Sequence, residues 1–196
     1  MLDCGGLPVG EQPALYAGVM GSAWLELAEP IRVAHASTTV RARGRLRIGH
    51  GRGPAARWLA RLLGLPRAND AAETRLVITP DAGGELWRRT FDERRLDTRQ
   101  YRAGDGELAE RFGVLELRFR LDASQGSLVF RQTEAAFLCG TVRLRIPAVL
   151  APRVDAREDP AGARQVSIRV RVVLPAVGPV LTYDGTIDID IEETGA

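Results

Sequence analysis

Between Thr39 and His50 the chain alternates strictly. Val40, Ala42, Gly44, Leu46 and Ile48 fall on one side and Arg41, Arg43, Arg45 and Arg47 on the other. A two-residue period sends alternate side chains to opposite faces, so this stretch is predicted to be a strand with one buried and one wet face. The rhythm returns at 165–174, where Val166, Ile168, Val170, Val172 and Leu174 alternate with Ser167, Arg169 and Arg171. It returns again at 181–191, where Tyr183, Gly185, Ile187, Ile189 and Ile191 alternate with Asp184, Thr186, Asp188 and Asp190. Arginine on one wet face and aspartate on the other predict that these two strands are neighbours, joined by a hairpin through Pro175–Pro179. Further strands are expected near 75–79, 85–91, 96–102, 114–121, 127–137 and 141–146. Short Gly-, Pro- and Asp-rich turns link them, which implies antiparallel pairing because parallel strands need long crossovers.

Two stretches have a helical period instead. Leu15, Tyr16, Val19, Met20, Ala23, Trp24 and Leu27 predict an amphipathic helix over 13–29, with Pro30 at its end. In 54–65, Trp58, Leu59, Leu62 and Leu63 are expected to face inward and Arg57 and Arg61 outward, with Gly64 and Pro66 closing the helix. The expected fold is therefore α+β and mainly β: a strongly curved antiparallel sheet or barrel of about nine strands with two helices packed on it. A two-sheet sandwich is the alternative. Residues 1–12 read as a flexible tail ahead of a single domain over 13–196.

Composition narrows the chemistry. All 27 basic side chains are arginine, and there is no lysine. Schiff-base catalysis, a pyridoxal-phosphate anchor and a P-loop lysine are excluded in this chain. The net charge of +2 and the scatter of arginines along strands speak against nucleic acid. Cys4 and Cys139 give no disulfide framework, and His35 and His50 form no Cys/His cluster, so neither a metal nor another cofactor is expected. With no secretory signal and no apolar run long enough to span a bilayer, a cytoplasmic protein is expected.

Gly51-Arg52-Gly53-Pro54-Ala55-Ala56 matches G-x-G-x-x-A between a strand and a helix. The arginine row on the preceding strand argues against a dinucleotide fold, whose central strands are apolar on both faces. What survives is a small anion site at His50, Arg52 and Gly53. Elsewhere, Trp87, Arg89 and Phe91 share one strand face, and Leu128 and Phe130 share another with Gln132 and Glu134. Unbroken alternation turns Arg89 and Glu134 inward, where they either pair with each other or line a wet cavity, whereas a β-bulge that flips the register would remove the effect.

Leu59–Pro66, Trp87–Phe91, Glu110–Gly113, Leu150–Arg153, Leu174-Pro175 and Tyr183–Gly185 stand in the same order as in the bacterial domain-of-unknown-function family 4166, which the chain resembles from about Leu15 to Ile191. Members often follow a saccharopine-dehydrogenase-like domain, so the resemblance implies a dehydrogenase-like protein partner. It carries over no catalytic residue. Two functions are expected. One is a non-catalytic binding module holding a small apolar or amphipathic, acidic-headed ligand in a β-sheet cavity. Its lining would be Trp87, Phe91, Phe119, Phe130 and Tyr183, with Arg89 or Arg111 meeting the acid and Glu134 also facing in. The other is an accessory or substrate-contact domain for a saccharopine-dehydrogenase-like oxidoreductase. Independent catalysis has the weakest case.

Overall fold

In the computed structural model, which describes residues 14–36 and 38–191, eleven antiparallel strands form one sheet whose first ten close into a barrel. In chain order they are β1 (Val40–Gly49), β2 (Asn69–Asp81), β3 (Gly84–Phe91), β4 (Arg94–Ala103), β5 (Glu107–Phe112), β6 (Leu115–Ser124), β7 (Ser127–Cys139), β8 (Val142–Arg145), β9 (Arg153–Gly162), β10 (Gln165–Leu174) and β11 (Gly178–Ile191). The ring runs β6-β5-β4-β3-β2-β1-β11-β10-β9-β7 and closes between β7 and β6, while β8 hangs outside on β7. The expected tail over 1–12 lies outside the described residues.

Alternation explains the wall. The apolar sets of β1, β10 and β11 point in, and Val40, Leu46, Val166, Ile187 and Ile189 are buried in the core. The expected β10–β11 hairpin is present, with Arg169 opposite Asp184. The aspartates of β11 also face the arginines of β1 on its other side, Arg43 opposite Asp188 and Arg47 opposite Asp184. Gly44 sits where β1 crosses β11 most closely. A Cβ there would stand 2.2 Å from the Thr186 carbonyl oxygen and 2.9 Å from Ile187 Cα.

Because every pairing is antiparallel, the barrel has two distinct ends. The lower end, where β1 starts and β11 finishes, is plugged by α1 (Leu15–Met20), a 3-10 turn (Gly21–Glu26) and α2 (Glu29–Ala34). The single helix expected over 13–29 is thus broken. Gly21 at φ 59° ends α1, and Pro30 opens α2 from its first turn instead of closing a helix, since a first-turn proline sacrifices no hydrogen bond. Tyr16 and Ile31 are fully buried there.

At the upper end α3 (Pro54–Leu62) lies beside β11, and it buries Ala56 and Ala60, not the expected Trp58 and Leu62. The cause is a close backbone crossing. A Cβ on Gly51 would meet the Pro179 carbonyl oxygen at 2.0 Å and the Ala56 methyl at 2.9 Å. Only small side chains fit between a helix and strand held that near.

Gly44→Ala is expected to destabilise the protein by about 1–3 kcal/mol, because the clash is with backbone that cannot swing aside. A thermal melt that leaves the midpoint unchanged would refute this close crossing.

Candidate functional site

The inward faces carry more than hydrocarbon. From β3 come Glu85, Trp87, Arg89 and Phe91; from β4, Thr98 and Gln100; from β5, Glu110; from β9, Glu158. Each polar group among them has a hydrogen-bond partner. The Arg89 guanidinium donates from Nη1 to Thr98 Oγ1 at 2.7 Å and from Nη2 to Glu110 Oε1 at 3.2 Å, and it lies 4.7 Å from the Trp87 ring centre. Thr98 in turn donates to Glu110 at 2.7 Å. The Trp87 indole donates to Glu85 at 3.0 Å.

The helical plug completes the network. Tyr16 donates its hydroxyl to Gln100 Oε1 at 2.6 Å. His35 Nε2 stands 2.8 Å from Glu158 Oε2, and the two plug rings stack with centres 3.8 Å apart. Pairing is what makes these buried polar groups tolerable. Burial alone disfavours the charge on Arg89, but Glu110, Tyr183 and Tyr16 outweigh it and raise its pKa. Burial, with Glu158, Glu85 and Glu110 nearby, holds the Tyr16 phenol well above its ordinary value. Burial pushes Tyr183 up to about 12 and raises Glu85, partly offset by His35 and the Trp87 bond.

Six of the eight candidate ligand-binding residues belong to this interior. Trp87, Arg89, Phe91, Phe119, Phe130 and Tyr183 line a chamber of about 70 Å³. That holds a few water molecules and falls below the several hundred Å³ of a drug-sized ligand site. The other two face outward. Arg111 lies exposed and donates to the Gly113 carbonyl at 2.8 Å. Glu134 faces outward because the β6–β7 register steps from Arg118↔Glu134 to Phe119↔Gln132, leaving Thr133 as an extra residue. Arg89 and Glu134 are therefore not partners. Glu134 instead accepts from Arg143 Nη1 at 2.5 Å.

That outer face holds a cluster of its own. Glu116, 3% exposed, accepts from Arg143 at 2.7 Å and Arg118 at 3.1 Å and from the Tyr101 hydroxyl. Burial works against its charge, but these three bonds win and hold its carboxyl below the ordinary value. The cluster clamps the β7–β8 hairpin to the barrel.

The bulge has a second consequence. β9 pairs with β7 only over Leu128–Arg131. Beyond that the ladder parts, and Gln132 bridges the gap like a peptide group. Its Nε2 donates to the Pro152 carbonyl and its Oε1 accepts from the Val154 amide, both at 2.7 Å. Outside the split lies a cleft of about 750 Å³, bordered by Arg131, Arg145, Arg153, Arg157, Arg169 and Arg171 against two acids, Glu134 and Asp155. Its inner wall is Phe130, Val154 and Ala156, which also line the chamber. Arg131 is tied to Asp122 and Arg157 to Asp159. Among the described residues Arg153 and Arg171 have no ion-pair partner. Strand reading treats these six arginines as a wet sheet face, and only the bulge turns that face into the border of a cleft.

The residues of the expected anion site serve the fold instead. His50 Nε2 lies 2.7 Å from the Pro66 carbonyl, closing the α3 loop. Arg52 is exposed, and Gly53 precedes α3 at an ordinary φ of −70°. The first glycine of the motif serves the crossing with Pro179.

The family model described as Domain of unknown function (DUF4166) matches residues 27–187. No curated protein and no solved structure matches the chain.

Two outcomes follow from these placements. Gly51→Ala should cost about 1–3 kcal/mol through its clash with Pro179. Gly53→Ala, with nothing within 4 Å of its new methyl, should change stability by less than about 0.5 kcal/mol; equal costs in denaturant titrations would contradict this reading of the motif. For Glu116 the folded pKa lies below the ordinary 4.5. Its contribution is then complete above that value and fades as the pH falls through the lower folded one. Glu116→Gln should cost about 1–3 kcal/mol at neutral pH and flatten the acid limb of the stability profile. An acid limb as steep as in the parent would count against the clamp.

Proposed function

The chain belongs to the DUF4166 family, and from that premise and the geometry above we propose that it is a non-catalytic binding module for a small amphipathic acid. The acidic head lies among the arginines of the lateral cleft, and the apolar part lies against Phe130, Val154 and Ala156. The observation that carries this reading is the cleft itself: about 750 Å³, within the usual range for ligand sites, with Arg153 and Arg171 lacking an ion-pair partner. Asp155 stands opposite Arg171 in the ladder but closes no ion pair with it, and guanidinium groups not engaged in an ion pair suit a carboxylate or phosphate head, which they meet through two parallel hydrogen bonds. The chamber around Trp87, Arg89, Phe91, Phe119 and Tyr183 is too small for the whole ligand. It backs the shared wall and has space for no more than a short apolar end.

The alternative is an accessory or substrate-contact domain for a saccharopine-dehydrogenase-like oxidoreductase. Barrel closure leaves short free strand edges among the described residues, at β8, four residues long, and where β7 and β9 part beyond Arg131, and these offer little for sheet-to-sheet docking. The binding reading has the stronger support.

Titration calorimetry with dodecanoate, with dodecanol as the neutral control, tests the proposal. Dodecanoate should bind, dodecanol should bind at least about tenfold more weakly, and Arg153→Glu with Arg171→Glu should weaken dodecanoate about 10–100-fold, as expected for loss of charged hydrogen bonds. Equal binding of acid and alcohol, or no binding of either, overturns it.

A further inference from the structure

The upper end of the barrel differs from the lower in one respect beyond its loops. Among the described residues ten large hydrophobic side chains are exposed: Leu25, Trp58, Leu62, Leu63, Val114, Phe137, Val142, Leu144, Val149 and Leu150. Strand directions place every one except Leu25 at the upper end, because β1 and β7 run up to it and β6 and β9 run down from it. Eight of them fall in two segments, 50–69 and 135–154, and neither segment contains an Asp or Glu. In the same segments stand Arg52, Arg57, Arg61 and Arg67, and Arg143, Arg145 and Arg153.

We propose that this end of the barrel docks on the surface of a bilayer containing anionic lipids. The geometry of α3 carries most of the weight. Its small residues Ala56 and Ala60 face the barrel, so at 100° per residue Trp58 and Leu62 point directly away, with Arg57 and Arg61 alongside. Trp58 is 61% exposed. An arginine-flanked helix with tryptophan and leucine on its free face is the pattern of a helix lying in the headgroup region. The β7–β8 hairpin and the 146–152 connection offer a second apolar, acid-free island at the same end. Anionic lipid matches the arginines of these two acid-free segments without requiring shape complementarity; the same end also carries the exposed acids Asp70, at the start of β2, and Asp92 and Glu93, in the β3–β4 turn.

The wall itself stays out of the membrane. Its outward faces on β1 and β11 carry arginines and aspartates, the reverse of a transmembrane barrel, and no helix among the described residues is long and apolar enough to cross. The inference stands on the rim and not on the cleft, so it does not depend on the binding function proposed above.

Co-sedimentation with vesicles of phosphatidylcholine containing about one-third phosphatidylglycerol is the test, run at low and high salt, with pure phosphatidylcholine as control. The full chain should sediment with the anionic vesicles, lose that association as salt rises, and ignore the neutral ones. Arg57→Ser with Arg61→Ser should lower partitioning by about fivefold per arginine. Trp58→Ser with Leu62→Ser, and separately Leu144→Ser with Leu150→Ser, should each weaken it. Leu25→Ser at the opposite end should not. All these side chains are exposed, so unchanged thermal midpoints should confirm that the variants fold. Absence of binding to anionic vesicles at low salt overturns the proposal. So does a Leu25→Ser loss as large as that of the Trp58 variant. A third contrary result is rim variants that keep vesicle binding but lose a co-purifying protein, which would assign the rim to a protein partner. Dodecanoate binding measured without vesicles separates this outcome from failure of the ligand reading.

Discussion

Ring closure by ten strands is the constraint from which the other features follow. An eight-stranded barrel can be filled by its own side chains, and a wider ring leaves a residual space. Here α1 and α2 supply the missing volume at the lower end, and Tyr16 and His35 reach in from them. Once the ring is shut, inward polar groups have little access to bulk water and find most of their partners within it. Arg89 therefore sits on Thr98, Glu110 and the Trp87 face, and Glu158 meets His35. The same demand leaves the interior nearly full, with about 70 Å³ open.

What a full interior denies, the wall supplies at one joint. The extra residue Thr133 shifts the β7 register, the ladder to β9 parts after four pairs, and Gln132 spans the gap. The arginines of β9 and β10 then border an opening with an apolar back wall instead of decorating a continuous sheet. Helices have a similar division of labour. Those at the lower end bury their apolar side chains, while α3 turns its apolar stripe outward because Gly51 draws it too close to β11 for anything larger than alanine.

Period-two alternation makes the curved antiparallel wall and the β10–β11 hairpin legible in the sequence, since apolar-in and charged-out hold over Val40–Ile48, Val166–Arg171 and Tyr183–Asp190; the rhythm breaks at the end of the hairpin, where the register shifts between Val172 and Val173 and the neighbours Val180 and Leu181 are both buried. It failed where the inner face is itself polar. β9 turns Val154, Ala156 and Glu158 inward, and β5 turns in Leu108 and Glu110, so neither shows the apolar stripe that marks a strand in sequence. Their inward acids answer to Arg89 and His35, partners far away in the chain. The orientation of Glu134 depended on one bulged residue that no local pattern marks. Amphipathic helices usually bury their larger apolar face, which predicts Trp58 and Leu62 inward. The crossing of Gly51 and Pro179, 128 residues apart in the numbering, decided otherwise.

The β7–β9 joint, four residue pairs over Leu128–Arg131, is the thinnest seam in the ring, and the closed barrel stands or falls with it. Native-state amide exchange across this seam addresses closure directly. In a closed ring the amides that cross it should exchange as slowly as those of β1 and β11, near the rate set by global unfolding. Fast exchange at the seam in an otherwise protected sheet would mean an open, curved sheet, with neither an enclosed interior nor a lateral cleft.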